Sequence, residues 1–71
     1  MDWESLGMLF WQKRQERGLS LGKVSQLTGV STDRLAGIEA GETPIRRDEL
    51  VYLCLLFEVR IGRYYHGLED H

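Results

Sequence analysis

Cys54, His66 and His71 carry the side chains of this chain best suited to attack a substrate, bind a metal or shuttle a proton. Their settings argue against each use. A lone cysteine forms no internal disulfide and anchors no cysteine-based metal cluster. Cys54 lies among leucines in LVYLCLLF, which marks it as a core residue. His66 and His71 have no further ligand at useful spacing, so no metal site is expected. No nucleophile has a partnered base, and no Gly-rich loop is present to cradle a phosphate. Trp3 and Trp11 read as packing or interface residues rather than platforms for a ligand. Neither an enzyme nor a cofactor is expected. The chemistry left to this chain is binding.

Composition limits what could be bound. With 71 residues, residues 1–71 are expected to form one domain with a core at about 6–65 and frayed ends. So small a core gains from self-association. Hydrophobic residues make up 42%, enough for a folded domain. Nine Lys and Arg stand against eleven Asp and Glu, giving a net charge of −2. A strongly basic balance would point to nucleic acid. This one does not, although an acidic domain still binds nucleic acid if its cations cluster on one face. The opening MDWES is acidic, unlike the basic start of a signal peptide. No apolar run approaches the roughly 20 residues that span a bilayer. The expectation is a soluble cytoplasmic protein with no membrane partner.

The elements that must position any binding residues are short helices separated by glycines. Pro44 is the single proline, and strand-type alternation is nowhere sustained. The first helix is predicted over about residues 3–17, with Leu6, Phe10 and Lys13/Arg14 on one face and Gly18 as its left-handed stop. Ser20 caps a second helix over about 21–28, with Val24 and Leu27 inward. Gly29 closes it, and Val30 plugs the turn into the core. Ser31 caps a third helix over about 32–40, with Leu35 and Ile38 inward and Gly41 at its end. ETPIRRDE leads into a fourth helix that starts near Arg47 or Asp48 and ends near Phe57. EVRIGRYYHG suggests a fifth helical piece at about 60–65. The turn TGVS is the specific feature: glycine accepts the left-handed backbone, valine packs beneath, and serine caps the next helix.

The residues LG..F...R...GLS, V..LTGVS...L..IE.G and L..L...F.VRI...Y run from Leu6 to about Tyr65. They resemble the Cro/C1-type helix-turn-helix family, also called the XRE family of phage and bacterial repressors. The resemblance implies an all-α, compact, five-helix, lambda-repressor-like domain with its helix-turn-helix at the second and third helices. It implies that the third helix enters the major groove of double-stranded operator DNA, usually as a homodimer. It also implies a structural ion pair between Arg14 and Glu39.

By position, the base contacts implied are Thr32, Asp33, Ala36 and Gly37. Thr32 offers a hydroxyl and a methyl to base edges. Asp33 can accept from cytosine, but its simpler role is a favourable interaction with the positive end of its helix. Phosphate contacts would come from Arg17, Lys23, Arg34, Arg46 and Arg47, and from backbone N–H groups where the second helix starts. The simpler reading of Arg46 and Arg47 is solvated charge beside Asp48 and Glu49. Leu21 stands where the family often has a phosphate-binding glutamine, a departure that points to weak, unusual or lost DNA binding.

Apolar residues exceed what one small core uses. Met8, Leu9 and Trp11 in the first helix, and Tyr52, Leu55 and Leu56 in the fourth, fall off the inward faces, with Tyr64 and Tyr65 close behind. Such a surplus marks an interface, for a second copy of the chain or for another protein. Two functional readings therefore stand: a dimeric repressor that reads an operator, or a protein-interaction module that keeps the helix-turn-helix shape.

Overall fold

The computed structural model describes residues 3–59. Over that span it is all-α, with four helices and no strand: α1 (Trp3–Glu16), α2 (Leu21–Thr28), α3 (Thr32–Glu39) and α4 (Arg47–Phe57). The expected fifth helix at about 60–65 lies outside the described residues, as do Tyr64, Tyr65, His66 and His71.

Local chemistry sets the helix boundaries. Ser20 and Ser31 are extended, and each hydroxyl accepts from the N–H three residues on, at 3.0 Å from Lys23 and 3.2 Å from Arg34. Gly18 (φ 64) ends α1 and Gly29 (φ 81) ends α2 in the left-handed region. Thr28 bolts the tight turn from inside. Its hydroxyl donates to the Val24 carbonyl at 2.7 Å and accepts from the Val30 N–H at 3.2 Å.

One core joins the helices. Leu6 and Phe10 of α1, Val24 of α2, Leu35 and Ile38 of α3, and Leu50, Leu53 and Phe57 of α4 are all buried in it. Each such side chain contributes roughly 1.5–3 kcal/mol by leaving water. Val30 fills the space under the turn, Ile45 anchors the loop before α4, and Cys54 is a core residue.

Leu27 departs from expectation: it is 52% exposed. The less exposed residues of α2 are Leu21, Val24, Ser25 and Thr28, an arc centred to the other side of Val24. At about 100° per residue, Thr28 falls within that arc and Leu27 outside it. Leu21, in the first turn, packs against the core.

α1 crosses α3 at Gly7. A Cβ there would run into the carbonyl oxygen of Ile38 and lie 2.9 Å from that of Glu39. Those atoms are backbone and cannot swing aside. Gly22 in α2 is the opposite case, since its Cβ would meet only the Ser20 hydroxyl at 3.8 Å. Gly7→Ala is therefore expected to destabilise by about 2 kcal/mol, lowering the melting temperature by roughly 10 °C. Gly22→Ala is expected to stabilise by about 0.5 kcal/mol. Thermal unfolding followed by circular dichroism checks both, and equal shifts for the two variants would contradict the close approach at Gly7.

Candidate nucleic-acid interface

By burying Leu35 and Ile38, α3 leaves Thr32, Asp33 and Ala36 exposed. Asp33 lies in the first turn, where the helix end attracts a carboxylate. Gly37 is partly buried. A Cβ at Gly37 would collide with the Thr43 hydroxyl, and the Gly37 carbonyl accepts N–H bonds from Glu42 (2.9 Å) and Thr43 (3.2 Å). The loop after α3 folds over this position. A side chain at Gly37 would thus displace Thr43, so glycine is needed there for packing.

The five cations expected at phosphates divide into two groups. Lys23, Arg46 and Arg47 are exposed. Arg17, which is also exposed, and the partly exposed Arg34 are bonded to other residues of the protein. Arg17 Nη1 donates to the Leu56 carbonyl at 2.9 Å, its guanidinium lies 5.6 Å over the Phe57 ring, and Nη2 is 3.5 Å from Glu58. A cation there satisfies the carbonyl end of α4. It occupies the opposite end of α4 from Arg46 and Arg47, roughly 15 Å along the axis.

Arg34 is held more fully. Its Nε and Nη2 donate to the two carboxylate oxygens of Glu49, with Nη2 at 2.8 Å, and Nη2 also donates to the Pro44 carbonyl at 3.0 Å. Glu49 is buried, with 8% of its side chain exposed, and its Oε1 accepts the Arg46 N–H at 2.9 Å. Arg34, expected at a phosphate, thus forms a bidentate pair with Glu49 through Nε and Nη2. This pair was not anticipated from the sequence. Its available signals were a cation in the first turn of α3, where the dipole disfavours it, and a glutamate three residues into α4.

Arg14 and Glu39 form a second bidentate pair. Nε donates to Oε2 at 2.7 Å and Nη2 to Oε1 at 2.9 Å, with 13% and 10% of the side chains exposed. Arg14 Nη1 also donates to the Leu19 carbonyl at 3.0 Å, which ties in the segment between α1 and α2. Removing one partner would leave a largely buried charge, a loss of about 3 kcal/mol or more.

Around the start of α4, Arg34 and Glu49 cancel, which leaves Arg46 and Arg47 against Asp48 alone. The first turn of α2 carries Lys23 and no acidic residue. The exposed charge at both helix starts is thus weighted toward cations, despite the acidic balance of the whole chain. Of the apolar surplus, Met8 (53%), Trp11 (43%), Tyr52 (48%) and Leu55 (72%) are exposed. Leu9 and Leu56 are partly buried against the core.

The guanidinium of Arg34 holds the Glu49 carboxyl below the usual carboxylate range, against the opposing effect of burial, and the Arg46 N–H adds to the lowering. Burial pushes the Cys54 thiol up to about 11, so it stays protonated and inert at neutral pH. A carboxyl whose folded pKa is lowered contributes stability that is complete above its unfolded pKa. That stability is lost as pH falls through the folded value. The melting temperature is expected to fall as pH drops below about 4, and Glu49→Gln is expected to remove part of that dependence. Melting curves across pH check this, and identical pH profiles for the two proteins would exclude Glu49 as a contributor.

Among the described residues there is no helix long and apolar enough to cross a membrane, and no group of three or more His, Cys, Asp and Glu able to hold a metal. No curated protein and no solved structure matches the chain. A family model described as a helix-turn-helix domain matches residues 5–60, taking in nearly all of α1 and the whole of α2, α3 and α4. On that match, the chain belongs to the helix-turn-helix domain family, in its XRE/Cro-type form.

Proposed function

We infer that this chain is a sequence-specific DNA-binding transcriptional regulator of lambda-repressor-like fold. In this reading it acts in the cytoplasm as a dimeric repressor of phage or plasmid type, blocking polymerase at an operator without a cofactor. The observation that carries the reading is the doubly capped α2–turn–α3 unit, whose α3 leaves Thr32, Asp33 and Ala36 exposed. Thr32 and Asp33 supply the hydrogen-bonding groups for base edges, and Ala36 allows close approach to the groove floor. Arg46 and Arg47 follow the loop that Arg34 binds and are both exposed, which supports phosphate contact by them in this reading. Lys23 and the N–H groups at the start of α2 supply the second grip.

A protein-interaction module is the second reading. It is favoured by the exposed apolar pairs Met8 and Trp11 on α1 and Tyr52 and Leu55 on α4. The same residues serve dimer formation in the first reading.

Selection of bound duplexes from a random pool is expected to return a two-fold symmetric site. Recovery of random sequence alone would favour the second reading. Replacing Arg46 and Arg47 together by alanine is expected to reduce the slope of log affinity against log salt by about 1.8, at roughly 0.9 per phosphate. An unchanged slope would remove both residues from the phosphate contacts. Light scattering is expected to show a dimer, and a strict monomer at high concentration would overturn the dimeric part of the reading.

A further inference from the structure

We propose that Arg34 and Glu49 are positioning residues for DNA recognition, fixing the base-facing turn of α3 in register with the arginines that open α4. This inference rests on the DNA-binding reading above. One carboxylate joins three segments. Glu49 receives the Arg34 guanidinium from α3 and the backbone N–H of Arg46 at the start of α4, while the same guanidinium binds the Pro44 carbonyl in the intervening loop. Arg34 directly follows Thr32 and Asp33, and Arg46 directly precedes Arg47. The shortest bonded route from the base-facing residues to the phosphate-facing ones therefore runs through this pair.

Burial makes the link stiff. Only 8% of the Glu49 side chain is exposed, so the carboxylate cannot follow a moving partner into solvent without being left uncompensated. The link is also electrically silent toward DNA. The two charges cancel, and Nε and Nη2 of Arg34 are both spent on Glu49. In this proposal the pair acts on recognition through geometry, and a phosphate contact by the remaining Nη1 would show in the salt slope. A side chain of equal charge lacking the planar fork, as in Arg34→Lys, would not reproduce it.

The test is the variant carrying Arg34→Gln and Glu49→Gln together, which keeps the net charge of −2. Binding to a selected duplex and to a random duplex is measured over a range of salt. The selected site is expected to lose about tenfold in affinity, while random-duplex affinity and both salt slopes stay unchanged. Unchanged affinity for the selected site would overturn the positioning role. A slope reduced by about 0.9 would overturn it too, because Arg34 would then be contacting a phosphate itself.

Hydrogen exchange on the free protein gives a readout independent of DNA. Arg34→Gln alone is expected to speed exchange of the Arg46 N–H by about tenfold, with the Leu53 N–H deep in α4 unaffected. Equal acceleration at both amides, or none at Arg46, overturns the link. A wild-type chain that binds no duplex overturns the DNA-binding reading and the positioning role together. Failure of the inference alone shows as intact specificity in the double variant.

Discussion

Arg14 takes both carboxylate oxygens of Glu39, and the placement of α3 depends on that pair. α3 has eight residues, too few to hold a helix in water unaided. Leu35 and Ile38 bury one side of it, but burial alone leaves a short helix able to roll or slide. The bidentate pair, together with the contact of Gly7 against the Ile38 and Glu39 carbonyls, fixes its C-terminal end on α1. The same guanidinium reaches the Leu19 carbonyl, so the lead-in to α2 is set by the side chain that sets α3. The helix-turn-helix angle is therefore constrained by the turn between its two helices and by an outside brace.

The two ion pairs of α3 share a physical logic. Arg34 sits at the positive end of the helix and Glu39 at its negative end, so each has the sign the helix dipole disfavours. Each is compensated by a residue of a flanking helix, Glu49 from α4 and Arg14 from α1. Asp33, with the favoured sign, has no such need and remains at the surface. The outcome is a helix braced at both ends by charges that cancel. These braces consume two of the chain's cations, and Arg17 at the far end of α4 consumes a third.

What could be read from the sequence followed the range of the interaction. Ser20, Ser31, Gly18 and Gly29 act on atoms within a few residues, so the helix boundaries and the tight turn were legible. The Arg14–Glu39 pair spans 25 positions and entered only through family resemblance. Arg34–Glu49 spans 15 positions and Arg17–Leu56 spans 39, and no local feature names the distant partner of either arginine. The packing need for glycine at position 37 is hidden for a related reason: only the path of the following loop shows that Thr43 fills the place of its side chain. Leu27 failed on phase alone, because a spacing of three and a spacing of four are equally helical until the packing partner selects one side.

The exposed residues of α3 are Thr32, Asp33 and Ala36. In the DNA-binding reading, two such short polar side chains supply few base contacts, and Asp33 meets repulsion from nearby phosphates. Discrimination by side-chain chemistry alone is then limited. What this α3 can offer instead is a small, smooth surface held in one orientation. Close approach of Ala36 to a thymine methyl depends on shape and fails if the helix shifts by even a fraction of its side-chain length. A sparse recognition surface therefore raises the demand on the scaffold. The two ion pairs, with the buried Glu49 carboxylate and the largely buried Glu39 carboxylate, meet that demand at both ends of the helix.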